Sequence, residues 1–375
     1  RGFLRYKVQR QLAGNFVDIA EIEARADTTY ADERLEANRI YRYRVVSYFG
    51  SGDSVHELSS TVVEGVFHRY VNSWQLEAGF APTRIAVNSG GTVYVVGAGR
   101  GRIERFDRAG NPLGALVYAE GKLACMETST LDGPSIALDA DDNLYVAYNL
   151  LRAEGGPKAY WSKFDSNSRL VWARPLEGLF ARHIVVDGDD VFIESISQLQ
   201  HLSRDGERHT QYLIPALLVS SLRMWQGRFA ALIEPVSLLD SDWQTPRLVV
   251  YDDADRRSTR LVIGRDAKSH MDRGPGVLRR PTDFAVDEER NRVFVVNAGQ
   301  ERIEVFRDEH FSTRWGYAGD GPGQFRFSGE VEVIDEMASG RTSLRSVVAG
   351  GIARDREGYI YVADTFNDRI QKFQP

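Results

Sequence analysis

The sequence predicts an all-β chain: a six-bladed β-propeller preceded by a smaller, incomplete β-sandwich. Three observations carry this expectation. A pattern of two apolar runs divided by a Gly/Asp/Asn-rich turn recurs along residues 69–375. The recurrences number six, and the strand missing after the last of them is found before the first. Residues 1–65 alternate differently and carry no copy of the pattern.

The first half of the pattern reads Arg84-Ile85-Ala86-Val87-Asn88, Ser135-Ile136-Ala137-Leu138-Asp139, His183-Ile184-Val185-Val186-Asp187, Asp283-Phe284-Ala285-Val286-Asp287 and Gly351-Ile352-Ala353-Arg354-Asp355. The second half holds Val93-Tyr94-Val95, Leu144-Tyr145-Val146, Val191-Phe192-Ile193, Val293-Phe294-Val295 and Ile360-Tyr361-Val362. Short β-branched and aromatic runs between turn residues read as strands buried on both faces. A degenerate sixth copy spans Leu222 to Trp225 and Phe229 to Leu232. Third strands such as Arg302-Ile303-Glu304-Val305-Phe306 alternate more clearly, as strands nearer a rim should. With a fourth strand per unit, radial repetition protects the sheet edges.

Here a family resemblance becomes specific. The run Gly350 to Phe373 resembles a near-consensus NHL repeat, and Gly319-Asp320-Gly321-Pro322-Gly323-Gln324-Phe325 resembles that family's inter-blade loop. The resemblance covers residues 69–375 and implies a six-bladed ring. Its last repeat ends at Pro375 after the third strand, while Tyr70-Val71-Asn72-Ser73-Trp74-Gln75-Leu76 matches the fourth strand Phe311 to Tyr317, with Trp74 in the place of Trp315. The first propeller strand is therefore expected to complete the last blade.

Within residues 1–65, Leu4 to Arg10 alternates as a half-buried strand. The run Leu35 to Val45 resembles the fibronectin type III pattern, with Tyr41 as the corner tyrosine. Only five of the seven strands of such a sandwich can be placed, and its first two have no counterpart before Arg1. That implies an upstream stretch with room for an export signal or a lipid-anchored cysteine.

Composition narrows the function. A net charge of −6 and a pI near 5.8 oppose a nucleic-acid partner, which calls for a basic surplus. No apolar run approaches the roughly 18 residues of a membrane-spanning helix. A single cysteine, Cys125, rules out an intrachain disulfide and a cysteine zinc cluster.

Loop lengths are the most informative feature. In a four-stranded up-and-down blade, first-to-second and third-to-fourth turns share one side of the disc; second-to-third loops and inter-blade connections share the other. The first set is short, as at Ser89-Gly90-Gly91 and Arg356-Glu357-Gly358. Segments 119–133, 149–158, 234–246, 264–280 and 328–349 all belong to the second set. Loops beyond about 12 residues in a compact domain are functional or disordered. The expectation is a non-enzymatic, extracytoplasmic scaffold (periplasmic, cell-surface or secreted) that binds a protein partner or larger assembly through this face. The charged residues expected to meet the partner are Arg265, Lys268, Arg273, Glu330, Glu332, Asp335, Arg341 and Arg345. The amino-terminal sandwich is expected to sit away from that face.

The rival reading is a metal- or small-molecule-dependent enzyme, of lyase or lactonase type, with its site at the channel mouth. The first residues of the inner strands fall there, and Arg84, Ser135, His183 and Asp283 are the candidates for an anion or metal ligand. His183 is the only histidine of the seven at such a position, so no three-ligand set can be assembled from the lining. No catalytic residue, metal site or cofactor is assigned. The stretch Asp139-Ala140-Asp141-Asp142-Asn143 superficially resembles the start of a calcium loop but lacks its Gly and distal Glu, and reads as a tight turn.

Overall fold

In the computed structural model the described residues are 2–26, 30, 32, 40–51, 54–66, 68–98, 102–117, 133–150, 158–176, 180–195, 197–214, 218–234, 245–269, 271–335 and 341–374. The chain divides into two units, Arg1–Arg69 with Gln374–Pro375, and Tyr70–Phe373.

The first unit is one antiparallel sheet. Gly2–Leu12 lies between Asn15–Ile22 and Ile40–Ser51, and the last pairs in turn with Ser54–Ser59 and Val63–Val66. Tyr41 is buried and Arg10 lies 5.5 Å from its ring centroid. Arg10 also meets Asp32 at 2.9 Å, and the Tyr43 hydroxyl donates to the same carboxylate at 3.0 Å. Burial and that carboxylate push the Tyr43 phenol up. The described residues contain one sheet of this unit; Leu35 to Arg39, the first part of the run that resembles the fibronectin type III pattern, lie outside them.

Among the described residues the second unit holds six four-stranded antiparallel sheets and one added two-stranded sheet. The inner strands are Pro82–Val87, Ser135–Leu138, His183–Asp187, Leu218–Trp225, Asp283–Asp287 and Ile352–Arg354, numbered here as blades one to six. Each inner strand lies against the next, and the sixth against the first, so the ring closes. The sixth sheet is completed by Tyr70–Gln75, paired with Arg369–Phe373. Trp74 stands opposite Ile370 just as Trp315 stands opposite Ile303 in blade five, so the register expected from the sequence holds.

The core follows from this geometry. Each blade is apolar on both faces, so the buried side chains fall into wedges between neighbours. Tyr94, Val96, Leu144 and Val146 fill one between blades one and two, and Phe294, Val296, Val362 and Phe373 another between five and six. Six such clusters form. Completely burying a side chain of this size stabilises by roughly 1.5–3 kcal/mol. Gly351 lets the last blade meet the first, because a Cβ there would lie 2.7 Å from the Thr83 carbonyl oxygen and 2.8 Å from the Arg84 Cα.

Three turns between first and second strands, opening at Asn88, Asp139 and Asp355, share a device. The Asp139 Oδ1 accepts the Asp141 and Asn143 amides at 3.0 and 2.9 Å, and its Oδ2 accepts Asn143 Nδ2 at 2.8 Å. That carboxylate is consumed in closing the hairpin, as a tight turn requires. Segment 328–349 is more than an insertion. It folds as a two-stranded hairpin, Ser328–Asp335 against Arg341–Val348, for which the alternation in Val331-Glu332-Val333-Ile334 is the sequence signal.

Candidate functional site

Two places concentrate functional potential: the mouth of the central channel and the side of the ring that carries the long segments.

Hydrogen bonds between neighbouring blades sort the connections by side. Ser89 donates from its amide to Asp142 at 2.8 Å, and Arg108 pairs with Glu357 at 2.7 Å. Arg204 reaches Asp139 at 3.2 Å and Asp189 at 3.1 Å, and also contacts Asp141. These contacts join short turns only. On the other side, Asn149 and the backbone of Ala181 exchange bonds of 2.7 and 2.9 Å. Asn297 accepts the Arg279 amide at 2.7 Å, and Asp364 accepts that of Arg326 at the same distance. Each of these links a second-to-third loop to an inter-blade connection. The strand ends bearing 119–133, 149–158, 234–246, 264–280 and 328–349 therefore share one side, although most of the first three segments lies outside the described residues.

On that side, 264–280 is a built loop. Arg265 grips Asp272 through two bonds of 2.8 and 3.1 Å and donates to the Pro275 carbonyl at 2.7 Å. The Arg265 guanidinium and the Lys268 and Gly274 amides hold the Asp272 carboxyl well below the usual range. Lys268 and Arg273 are exposed, as is Glu330 at the base of the hairpin. Arg280 donates to the Ser346 carbonyl at 3.4 Å, joining the loop to the hairpin. Glu301 accepts the Ser328 amide at 3.0 Å and pins the hairpin base; burial pushes its carboxyl up. Arg345 is half-buried, and the side chains of Glu332, Asp335 and Arg341 lie outside the described residues.

The channel-mouth residues occupy equivalent positions, Arg84 opposite Val96, Ser135 opposite Ala147, His183 opposite Glu194 and Asp283 opposite Val296. Hydrogen bonds use most of them to join blades. Ser135 Oγ accepts the Ile184 amide at 3.0 Å, and His183 Nε2 donates to the Val219 carbonyl at 3.0 Å. Ser221 Oγ donates to Asp283 Oδ1 at 2.7 Å, and the Ile352 amide to Asp283 Oδ2 at 2.9 Å. Arg223 bonds both oxygens at 3.0 Å. Arg84 reaches across the channel to the Ser220 carbonyl at 3.4 Å. Behind these residues lies a cavity of about 360 Å³ whose charged lining is Arg84, Arg223, Arg354 and Glu288.

Ser135, His183 and Asp283 are buried and serve the framework; Arg84 and Ser135 also line the cavity. Burial, with Arg84 and Arg182 nearby, holds the His183 imidazole well below its ordinary pKa. Its Nε2–H faces a carbonyl, so that nitrogen is a donor rather than a metal ligand.

Sequence reasoning missed the neighbour of His183. Glu194 is buried between blades three and four, 3.7 Å from His183 Nε2, and is paired with a buried Arg256. Arg256 enters from turn 252–258, at a backbone φ of 56°. Burial pushes Glu194 up, and Arg256 opposes that shift. The only sequence signal is the unusual length of this turn on the short-turn side.

No family model matches this chain, and no curated protein matches it either. Solved structures do. A crystal structure of an auxiliary nutrient binding protein from Bacteroides ovatus has a TM-score of 0.50 at 13% identity, covering 98% of this chain and 91% of that one. Another, from Bacteroides thetaiotaomicron, has a TM-score of 0.50 at 11% identity, covering 98% and 90%. The fold is a β-propeller. At these identities the likeness of the propeller to solved structures extends to its fold alone.

Proposed function

We propose that this propeller is a non-enzymatic, exported binding protein that holds a protein partner or larger assembly on its long-segment side. The observation that carries the reading is the sorting of connections. Short turns are fastened to one another on one side, and the extended segments, including a built loop and a hairpin, rise from the other. Long connections mounted on a rigid scaffold are where binding residues concentrate. Lys268, Arg273 and Glu330 offer exposed charges of both signs, suited to orienting a partner.

The channel supports an enzyme less well, since His183 and Asp283 are occupied by inter-blade bonds. The names of the two Bacteroides structures point to binding, and this agrees with the proposal. Among the described residues no helix is long and apolar enough to cross a membrane. We read the repeats as NHL-type, supported by the shared register of Trp74 and Trp315. We read the first unit as fibronectin-type-III-like, supported by its sheet order.

The test is affinity capture from extracytoplasmic extract of the native host. Full-length chain is compared with a variant in which 330–346 is replaced by a two-residue turn, and with Glu357→Ala on the short-turn side. The hairpin variant is expected to lose the partner and Glu357→Ala to keep it. Equal recovery by all three overturns the proposal.

A further inference from the structure

Blade three carries a second cluster, far in character from the channel. Its strands after the inner one are Asp190–Glu194, Gln198–Ser203 and Arg208–Leu213. Asp190 opens the first, His201 lies in the next and His209 in the outer strand. One potential ligand atom from each lies within 4.8 Å of the other two.

The backbone explains the convergence. Phe192 pairs with His201, so Asp190, two residues before Phe192, lies on the same face of the sheet as His201. His201 pairs with Thr210 and Leu202 with Arg208, leaving His209 as the extra residue of a β-bulge. A bulge re-aims a side chain that regular pairing would send to one face. The three residues therefore come from adjacent strands of a rigid sheet.

Packing holds the central ligand. The His201 ring stacks on Phe192 at a centroid distance of 4.6 Å and an interplanar angle of 16°. Its Nε2 lies 2.6 Å from Asp190 Oδ1, and its ring centroid is 5.0 Å from that of His209. His201 is half-buried, Asp190 leaves about half of its side chain exposed (49%), and His209 is exposed. The outer two ligands have room to adjust while the inner one is fixed. Solvent reaches the side opposite Phe192.

We infer that Asp190, His201 and His209 form a binding site for a divalent transition-metal cation of the zinc class. Two imidazoles and one carboxylate suit zinc, whose bonds to such ligands are about 2.0–2.2 Å. Hard cations such as magnesium and calcium favour all-oxygen shells, which this donor set is not. Three protein ligands with an exposed side leave a coordination position for water or an outside donor. On binding, the metal replaces the His201–Asp190 hydrogen bond, the His201 ring gives up its Nε2 proton and takes one at Nδ1 from solvent so that it ligates as a neutral imidazole, and the second, third and outer strands of the blade become cross-linked. None of the three residues takes part in the bonds that join the blades at the channel mouth.

The test is zinc chloride titrated into the full chain by calorimetry, with cobalt(II) absorption as a second reading of coordination. One site per chain is expected. His209→Ala and Asp190→Asn are each expected to weaken it by about tenfold or more. His209 is exposed and Asn retains a hydrogen-bonding group at 190, so both variants should keep the fold, as far-ultraviolet circular dichroism would check. His201→Gln serves as the third variant. His310→Ala, an exposed histidine of another blade, is expected to leave affinity unchanged. The inference is overturned if the wild-type chain takes up no zinc. It is equally overturned if zinc binds with the same affinity in His209→Ala and Asp190→Asn, because the ions then sit elsewhere and the His201–Asp190 contact is a plain hydrogen bond.

Discussion

Asp283→Ala is expected to lower the unfolding free energy by about 2–6 kcal/mol, the cost of leaving two buried donors without their acceptor. Asp283 is buried at the start of the inner strand of blade five. Its carboxylate binds Ser221 and Arg223 from blade four and the Ile352 amide from blade six. Deleting it strands the Ser221 hydroxyl and the Ile352 amide, on two other blades. Each buried donor left unpaired costs roughly 1–3 kcal/mol. Arg223 keeps a bond of 3.2 Å to the Ile352 carbonyl, which moderates the loss. Against a typical total of about 5–15 kcal/mol, the change should be plain as a shift in the denaturant midpoint.

The second large effect is expected at Arg256. Arg256→Met leaves Glu194 buried without its counter-charge, and such a break costs about 3–5 kcal/mol. The same principle sets the rescue. Glu194→Leu combined with Arg256→Met replaces both charges with apolar volume beside Phe192, Phe229 and Tyr251, and is expected to recover most of the loss. In the wild type, Glu194 Oε2 and Arg256 Nε and Nη2 make no hydrogen bond among the described residues, so the pair is imperfectly satisfied and its removal as a unit sacrifices little. A double-mutant cycle measured by chemical denaturation separates the two cases: a large coupling energy supports the pairing, and additive losses refute it.

The propeller was legible because its strands are buried on both faces. Runs such as Val93-Tyr94-Val95 and Ile360-Tyr361-Val362 stand out from their turns, and those turns begin with the Asp or Asn that caps each hairpin, as Asn88 does for the Thr92 amide at 2.8 Å. Closure was legible through one indole, because Trp74 takes in blade six the register place that Trp315 takes in blade five. The side of each connection followed from strand parity alone. What the chain did not disclose depends on contacts between distant segments. Ser135, His183 and Asp283 read as polar channel lining, yet their partners are Ile184, Val219, Ser221 and Ile352 on other blades. Arg256 lies in the most degenerate repeat, where alignment gives no warning that a turn residue will point inward. His209 reaches Asp190 and His201 through a one-residue bulge, which shifts strand parity without a distinctive sequence mark. The hairpin at 328–349 was hidden for a simpler reason: it interrupts a repeat, so its alternation stands outside the pattern that marks the blades.

Backbone hydrogen exchange of the full chain, with and without its captured partner, tests the binding-face account most directly. Added protection is expected in 264–280 and 328–349, with the turns at 88–92, 139–143 and 355–359 unchanged. Protection centred on those short turns, or on the inner strands lining the channel, would contradict it.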